Sequence, residues 1–357
     1  MKINFKDVPG ERGLTTMSQP LRAPLQVVKG GEDGDIPPQS IPRWVTRMRL
    51  HEIIYHDGRF SSLGGTQFDP HAYSRFKYGH EDIAQAYGRE LAKLVAERLA
   101  TALETGEPIT ITGTAYRSMP NAASRVAHAV YWSLKEAGFN VIYSRIYRMI
   151  LTEGDYGRMS EADRLSATKR KSLSVDPGDY EGRHVVVIDD IKITGTIEQS
   201  SLDFFSNMPI LSLTLAHVLQ LNQTLHEPNP GLEGLLNQTA IKNLDDLWQM
   251  IYIAGSTEEF PWHLNARTAK FILEADEEDL KKFLNRMIIR EPDELRYLHE
   301  SLMEDGYDRM AAYRRNAQLI ELAISKKGDS GSSASKKDDP PAEKGFRLSK
   351  FLARWGL

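Results

Sequence analysis

The sequence predicts an α/β protein, with a doubly wound, mainly parallel sheet and a helical addition on its C-terminal side. Strand and helix patterns alternate from about residue 80 to 221, which is typical of a parallel sheet. The run HVVVI at 184–188 has the composition of a strand buried on both faces. From about Gly231 the pattern becomes mostly helical. These three observations define the predicted fold class.

Each element follows from spacing and punctuation. Apolar residues recur every three or four positions in the helices, and glycines follow their ends. The segments are, in order, a helix over His80–Leu103, a strand over Pro108–Gly113, a helix over Asn121–Ala137, a strand over Phe139–Ile146, a strand over His184–Ile188, a helix over Thr196–Met208 and a strand over Ile210–Leu221.

Composition gives the chain five predicted regions. Gly, Pro and charge dominate both ends, whereas the middle has the apolar periodicity of a folded protein. The regions are an extended arm over 1–43, a core over 44–227, a helical accessory subdomain over 228–324, a disordered linker over 325–345 and a short amphipathic segment over 346–357. The last segment is either a docking helix, for a partner, a membrane surface or the chain's own body, or a frayed tail, and the sequence leaves these open.

Bulk properties exclude several functions. There is no cysteine, which removes disulfides and thiolate chemistry, and the net charge of −4 gives no general attraction to nucleic acid. No apolar run approaches the ~20 residues of a membrane span. We therefore expect a cytoplasmic protein without a membrane span or a nucleic-acid partner.

The segment after the buried strand predicts a phosphate site. Asp189 and Asp190 follow the strand, and the turn Thr194–Thr196 opens a helix whose backbone amides and positive dipole end suit a phosphate. Paired carboxylates can hold ribose hydroxyls and a hydrated Mg²⁺. The same pattern fits a Walker B strand, but the chain has no phosphate loop of the G-x-x-x-x-G-K-[ST] type. A purely structural strand-to-helix cap is the remaining alternative.

The segment HVVVIDDIKITGTIEQSS resembles the motif of type I phosphoribosyltransferases that binds phosphoribosyl pyrophosphate (PRPP), in its orotate phosphoribosyltransferase form. The resemblance implies that Asp189 and Asp190 contact the ribose hydroxyls and Mg²⁺ and act in catalysis. It also implies that the 5′-phosphate is bound by Ile193, Thr194, Gly195, Thr196 and Ile197. Lys192 departs from the family's pattern. We include it among the residues expected to contact PRPP, and the alternative is that it pairs with an acid.

A second motif lies upstream in the family's order. TGTAYRSMPNAA at 112–123 is similar to the pyrophosphate loop of the same enzymes, with an arginine in place of a lysine. The resemblance implies that pyrophosphate is bound by Thr114, Ala115, Tyr116, Arg117 and Ser118. Backbone amides and the Arg117 guanidinium suit that charge.

Other expected site residues flank these motifs. Arg148 ends a strand where the family carries an arginine that reaches pyrophosphate, so Arg117 and Arg148 are both expected to be catalytic. Lys169, Arg170 and Lys171 fall where the family has its flexible catalytic loop, although a solvated loop surface explains them as well. The segment 73–92 looks like phosphoribosyltransferases found with bacterial tellurium-resistance genes. There Arg75, Lys77 and Tyr78 would form a hood over the acceptor base, or simply lead into the helix.

The resemblance implies a Mg²⁺-dependent transfer of the phosphoribosyl group from PRPP to a nucleobase-like acceptor, with release of pyrophosphate, by a homodimer. Ile193 and the lack of an arginine after the strand at 210–221 argue against orotate as the acceptor. The alternative is a non-catalytic PRPP or nucleotide sensor with the same fold.

Overall fold

A mixed sheet organises the chain. The computed structural model describes residues 26–28, 45–63, 67–148, 173–222, 229, 231–254 and 262–330. Within them, seven strands form the main sheet and two form a small separate one. The strands are β1 (Gln26–Val28), β2 (Val45–His56), β3 (Arg59–Ser62), β4 (Ile109–Gly113), β5 (Val141–Tyr143), β6 (Tyr147–Arg148), β7 (Leu173–Ser174), β8 (His184–Lys192) and β9 (Ser212–Leu221).

The main sheet has the order β1-β2-β9-β8-β4-β5, with β3 also paired to β2. The pairs β2–β9, β9–β8, β8–β4 and β4–β5 are parallel. The pairs β1–β2 and β2–β3 are antiparallel. The central strands carry apolar residues on both faces, which is the composition of a sheet covered by helices on each side.

Helices cover both faces of the sheet. Those of the core are α1 (Pro70–Lys77), α2 (Glu81–Arg98), α3 (Ala100–Thr105), α4 (Ala122–Glu136) and α5 (Thr196–Phe205). Val186 and Ile188 pack into one cluster with residues of α2 and α4, whereas Val185 and Val187 pack on the other face with residues of α5. The doubly wound, mainly parallel fold predicted from the sequence is confirmed.

One glycine sets the distance between α2 and α4. A Cβ added at Gly88 would lie 2.3 Å from the Cβ of Ala129 on α4. Any larger side chain at this position would force the two helices apart. The close approach explains why glycine is tolerated in the interior of α2 despite its low helix propensity.

The region predicted as a helical accessory subdomain follows β9. Its helices are α6 (Gly231–Asn237), α7 (Leu244–Ala254), α8 (Ala266–Leu273), α9 (Glu277–Arg290), α10 (Pro292–Asp305) and α11 (Arg314–Ser330). Leu232 and Leu236 of α6 pack into the cluster of the core, whereas the later helices share an apolar cluster of their own. Two residues of the core, Tyr78 and Met119, pack into the apolar cluster of this subdomain. The subdomain and the core therefore share buried surface.

Hydrogen bonds fasten the accessory subdomain to the end of α1. Trp262 Nε1 and Thr268 Oγ1 donate to the carbonyl of Tyr78 at 2.8 and 3.0 Å. Asn265 Nδ2 donates to the carbonyl of Lys77 at 3.1 Å, and its Oδ1 caps α8. Beside the loop after β4, Ala266 N donates to Pro120 O at 2.9 Å. The start of α8 is thus tied to two segments of the core.

Several element bounds differ from the predicted ones. The predicted helix over His80–Leu103 divides at Leu99, whose φ of −101° and ψ of 22° end α2 and precede α3. The strand predicted over Phe139–Ile146 contains only Val141–Tyr143 as β5. The strand predicted over His184–Ile188 continues to Lys192, so Asp189 and Asp190 lie inside β8 rather than after it. Parallel pairing of β8 with β9 up to Lys192 and Gln220 explains this extension.

Regions at the chain ends are only partly described. The described part of the predicted arm is β1, which pairs with β2, and the rest of 1–43 lies outside the described residues. Helix α11 continues to Ser330, into the predicted linker. The remainder of the linker and the segment 346–357 also lie outside the described residues. Among the helices that the structure describes, none has the length and hydropathy to cross a membrane.

Candidate functional site

The candidate site lies at the switch point of the sheet. The chain leaves β4 toward β5 on one side and leaves β8 toward β9 on the other, so the loops after these adjacent strands diverge. A cavity of about 240 Å³ opens there. The core contributes Lys77, Thr114–Arg117, Met119, Asn121, Arg148, Asp189–Glu198 and His217 to its lining, and the accessory subdomain contributes Glu233, Ala266, Arg267, Lys270, Asp305 and Tyr307.

The paired acids of β8 have different surroundings. Lys77 at the end of α1 forms a buried ion pair with Asp190 and lies 3.4 Å from Glu233 Oε1 on α6. Burial alone would raise the pKa of Asp190, but the Lys77 ammonium outweighs it and the pKa is lowered. Burial and the neighbouring Asp190 carboxylate raise the pKa of Asp189 well above its ordinary value. The negative charge of the pair therefore resides mainly on Asp190.

A neutral histidine stands beside the acids. His217 on β9 pairs in register with Asp189, and its Nε2 lies 3.9 Å from Asp189 Oδ2. Burial lowers the pKa of His217 to about 4, so the ring is uncharged at neutral pH. His217 lines the cavity and adds a neutral imidazole to the acid pair.

The turn after β8 has the geometry of an anion-binding helix start. Gly195 has a φ of 78°, the left-handed region that favours glycine, and stands at the N-cap of α5. The Thr194 and Thr196 hydroxyl oxygens are 2.8 Å apart. Amides at the start of a helix favour a bound phosphate, and this turn lines the cavity.

Lys192 lines the cavity and is paired with an acid. Its Nζ lies 2.5 Å from Oε2 of Glu198, in the first turn of α5. Arg47 on β2 forms an ion pair with Oε1 of the same carboxylate. Burial would raise the pKa of Glu198, but Lys192 and Arg47 outweigh it and the pKa is lowered. The two cations therefore offset an acid placed beside the phosphate turn.

The loop after β4 is held by a helix cap. Asn121 Oδ1 accepts from Ser124 N at 2.9 Å and caps α4, while its Nδ2 donates to the carbonyl of Thr114 at 3.1 Å. Not all loop amides face the cavity. Tyr116 N donates to the carbonyl of Ile146 at 3.3 Å, which corrects the expectation that Ala115–Ser118 all offer amides to a ligand. The Tyr116 N–H is used by the parallel bridge of Tyr116 with Tyr147.

Arg145 packs between two aromatic rings and supports this loop. Its guanidinium carbon lies 3.9 Å from the ring centre of Tyr116 and 4.5 Å from that of Tyr147. Arg145 Nη2 also donates to the carbonyl of Tyr116 at 3.3 Å, and Arg148 N donates to it at 2.9 Å. The strand that carries Arg148 is thereby bonded to the loop, and the Arg148 side chain lines the cavity.

The far end of the loop contacts the accessory subdomain. Asp305 at the end of α10 accepts hydrogen bonds from Ser118 N at 3.2 Å and Ser118 Oγ at 2.6 Å. Arg117 Nε lies 3.6 Å from the same oxygen, and Arg117 Nη2 donates to the carbonyl of Glu304 at 3.4 Å. Burial raises the pKa of Asp305. A carboxylate of this chain thus lies against the predicted pyrophosphate loop.

The structure brings most of the predicted site residues to one cavity, with clear exceptions. Ser118 contacts Asp305 and is outside the cavity lining. Arg75 is exposed on α1, and the Tyr78 ring is buried 5.0 Å from the ring of Phe271. Of the three predicted hood residues, only Lys77 lines the cavity, because α1 directs it toward β8. Lys169, Arg170 and Lys171 lie outside the described residues.

Sequence reasoning missed the accessory side of the cavity. Its residues are Glu233, Ala266, Arg267, Lys270, Asp305 and Tyr307, and no motif marks them. His217 carried a signal, since a polar residue in the apolar run of β9 lies next to Asp189 once the two strands are in register. Asn121 carried one too, as a cap residue directly before a helix.

An α/β fold with a phosphate turn, paired acids and a basic loop at its switch point defines a protein of the phosphoribosyltransferase type. The model of the PRTase ComF-like family matches residues 45–320, so this chain belongs to that family. Membership confirms the predicted resemblance to type I phosphoribosyltransferases. A comparison with curated proteins finds no match.

Three solved structures with partial similarity to this chain are named as phosphoribosyltransferases. A hypoxanthine-guanine phosphoribosyl transferase from L. donovani is 16% identical, with a TM-score of 0.28 over 39% of this chain and 72% of that chain. A hypoxanthine phosphoribosyltransferase from Staphylococcus aureus is 15% identical, with a TM-score of 0.25 over 38% of this chain and 64% of that chain. A purine phosphoribosyltransferase from Pyrococcus horikoshii Ot3 is 12% identical, with a TM-score of 0.22 over 38% of this chain and 86% of that chain.

Proposed function

We propose that this protein transfers the 5-phosphoribosyl group of PRPP to a nucleobase-like acceptor and releases pyrophosphate. One observation carries the proposal: the acid pair of β8, the turn at the start of α5 and the loop after β4 line the same cavity. The turn suits the 5′-phosphate and the acids suit the ribose hydroxyls. Arg117 and Arg148 suit the pyrophosphate by charge-assisted hydrogen bonds.

In the proposed reaction the C1–oxygen bond to pyrophosphate breaks and a bond from an acceptor nitrogen to C1 forms. Negative charge develops on the leaving oxygen, where Arg117 and Arg148 would stabilise it. Positive charge develops on the ribose, next to the Asp190 carboxylate that Lys77 keeps ionised. The acceptor nitrogen loses its proton to solvent or to the departing pyrophosphate, because burial lowers the pKa of His217 to about 4 and makes its ring a weak base at physiological pH.

Mg²⁺ is the proposed metal. The donor set fits, because Mg²⁺ usually keeps several waters and is held by one or two carboxylates together with substrate oxygens. Asp189 and Asp190 would supply the protein ligands. The described residues contain no group of three or more potential ligands, so a metal here would depend on the diphosphate of the substrate. When bound, it would neutralise diphosphate charge.

A second candidate is a PRPP or nucleotide sensor without turnover. The contact of Asp305 with Arg117 and Ser118 favours it, because a carboxylate of the accessory subdomain already uses donors that the reaction would need. In a sensor, displacement of that contact would be the output.

Titration calorimetry with PRPP and Mg²⁺, followed by a pyrophosphate-release screen over bases, tests both candidates. The screen includes bases with a carboxylate, since Arg267 and Lys270 line the accessory side of the cavity. Turnover with at least one base supports the transferase, and binding without turnover on any base supports the sensor. Absence of PRPP binding would overturn both.

The variant Asp190→Asn tests whether the acid pair takes part in the reaction. We expect a loss of pyrophosphate release of about 100-fold or more, because the charge opposite the developing cation is removed. Asp203→Asn, an exposed acid on α5, is the matched control and should keep wild-type turnover. Undiminished release in Asp190→Asn would contradict the role of Asp190.

The proposal also includes the oligomeric state, the genetic setting and the cellular location of the protein. A homodimer and a docking role for 346–357 are proposed from the family resemblance and the amphipathic pattern. A cytoplasmic location and an association with tellurium-resistance genes are proposed from the sequence alone. The acceptor base stays open in this proposal, with orotate disfavoured.

A further inference from the structure

The end of α10 presents a negatively charged group to the basic loop. The Asp305 carboxylate accepts two hydrogen bonds from Ser118 and faces Arg117, and the Glu304 carbonyl accepts from Arg117 as well. That carbonyl belongs to the C-terminal turn of α10, where the helix dipole is negative. Two acceptor atoms of the accessory subdomain, Asp305 Oδ1 and the Glu304 carbonyl oxygen, thereby engage donors of a single loop in the core.

These donors are the ones expected to hold pyrophosphate. Ser118 N, Ser118 Oγ and the Arg117 guanidinium all belong to the loop proposed to bind the leaving group. Asp305 Oδ1 accepts from both Ser118 donors and lies 3.6 Å from Arg117 Nε, where it stands in for an oxygen of a phosphate. Asp305 also lines the same cavity as Arg148 and the acid pair.

The burial of Asp305 is unfavourable for α10 taken alone. Leu295, Leu298 and Leu302 form the apolar stripe of this helix in the accessory cluster, and Asp305 stands at the next position of the stripe. Only 7% of its side chain is exposed. A buried carboxylate is costly unless partners compensate it. Its partners are Ser118 and Arg117, so their loss to a ligand would destabilise this turn of α10.

We propose that Asp305 is a displaceable occupant of the pyrophosphate loop, so that a bound diphosphate and the accessory subdomain compete for Arg117 and Ser118. The inference rests on the proposed role of this loop in pyrophosphate binding. Ligand binding releases the end of α10 from the core, and release of pyrophosphate allows it to return. The accessory subdomain then responds to occupancy of the donor site.

Calorimetric titration of the full chain with inorganic pyrophosphate and Mg²⁺ tests the competition. Asp305→Asn keeps the shape and one acceptor but removes the charge, and we expect it to bind pyrophosphate about tenfold more tightly than wild type or better, which is one factor of ten for each 1.4 kcal/mol removed. Glu304→Gln is the matched control, because its side chain takes no part in the contact with Arg117 and its affinity should stay within about twofold.

The outcomes separate this proposal from the proposed function. If wild type binds pyrophosphate and Asp305→Asn binds it no more tightly, the competition is wrong and the loop's role stands. If no variant binds pyrophosphate, the role of the loop fails and the competition fails with it. Tighter binding by Asp305→Asn alone supports both.

A second measurement uses the wild-type chain and does not depend on a variant folding. Hydrogen exchange is followed on peptides that cover Leu302–Arg309, with and without saturating pyrophosphate and Mg²⁺. We expect faster exchange in the last turn of α10 with ligand, because its contacts with Ser118 and Arg117 are lost. Unchanged or slower exchange at saturation would overturn the displacement.

Discussion

At the scale of single residues, the decisive interaction is the ion pair of Lys77 with Asp190. The Lys77 side chain is 9% exposed, and its ammonium lies between Asp190 on β8 and Glu233 on α6. Burial alone would lower the pKa of Lys77, but the two carboxylates outweigh it and the pKa is raised. Lys77 therefore stays charged and determines which of the paired acids is ionised. Lys77, predicted to lie at the acceptor base, is thus a direct partner of the acid pair.

Lys77→Met should destabilise the protein by about 3–5 kcal/mol, because it leaves the Asp190 carboxylate buried without its cation. Urea unfolding at pH 7 measures the change in the free energy of unfolding. The control is Lys93→Met, whose exposed pair with Glu90 should contribute less than about 1 kcal/mol. In the double variant Lys77→Met/Asp190→Asn we expect part of the loss to be recovered. Equal stability of Lys77→Met and wild type would contradict this account.

Sequence reasoning identified the chemically distinctive residues and not their partners. Asp189, Asp190 and the Thr194–Thr196 turn were predicted because an apolar strand, two acids and a glycine turn are adjacent in the chain. Lys192 was predicted to contact PRPP or to pair with an acid, and the sequence did not indicate that this acid is Glu198. Such pairings depend on where α5 and α1 lie in space, which no local pattern encodes.

At the scale of elements, the packing of α2 on α4 strongly restricts which residue can stand at the helix contact. These helices meet at Gly88 and Ala129 and share the cluster that covers one face of the sheet. The start of α4 in turn carries the Asn121 cap that holds the Thr114 carbonyl. The position of α2 is therefore connected to the geometry of the candidate pyrophosphate loop.

Gly88→Ala should lower the free energy of unfolding by about 1–2 kcal/mol. The clash of the new methyl group with Ala129 costs about 1–3 kcal/mol, which outweighs the gain of up to about 1 kcal/mol in helix propensity. Gly234→Ala in α6 is the matched control: its added Cβ would meet no atom within 4 Å, so we expect no loss of stability. Thermal unfolding of the three proteins checks the order. A Gly88→Ala variant as stable as Gly234→Ala would disprove the clash.

The alternating elements of the core were predicted, whereas the amino-terminal hairpin was missed although its turn carries a signal. Asp57 and Gly58 join β2 to β3 with φ values of 49° and 74°, and Asp-Gly is a preferred two-residue hairpin turn. Half-exposed antiparallel strands leave a weaker pattern than the buried parallel strands β8 and β9. The bounds of β8 were set by its partner β9, which a single strand's composition does not reveal.

At the scale of the whole molecule, buried histidines govern the response to acid. Burial lowers the pKa of His51, His128 and His217 to about 4 in each case. The unfolded chain takes up protons at these residues near pH 6.5, and the folded protein does so only near pH 4. Their contribution is therefore complete above pH 6.5 and is lost progressively as the pH falls from 6.5 to 4. Asp189 and Asp305, whose pKa values are raised, act in the opposite direction.

The variant His128→Gln removes the contribution of one of these histidines to the pH dependence of the unfolding free energy. His128 Nε2 accepts a hydrogen bond from Trp132 Nε1 at 3.1 Å, which requires an unprotonated nitrogen, and Arg125 further disfavours the charge. We expect the loss of unfolding free energy between pH 6.5 and 4 to be smaller in His128→Gln by up to about 3 kcal/mol. Parallel pH profiles for His128→Gln and wild type would refute the prediction.

The accessory subdomain shows the limit of sequence reasoning for the whole molecule. Its helices were predicted from apolar stripes such as Leu295, Leu298 and Leu302. Its contribution to the cavity was not predicted, because Asp305 and Arg267 are ordinary charged residues of a helical region until the fold brings them to the core. Long-range placement, rather than composition, makes them site residues.

The parallel pairing of β2 with β9 also has a consequence for how the chain folds. Val45 pairs with Leu213, so the edge of the main sheet is complete only when residues from distant parts of the chain meet. Closing such a long loop carries a large entropic penalty, which slows folding in proteins with high contact order. During synthesis, β2 leaves the ribosome long before its partner exists. We therefore expect the first half of the chain to remain incompletely folded until β9 has emerged. Until then, the unpaired edge of β2 is the segment that needs protection from aggregation.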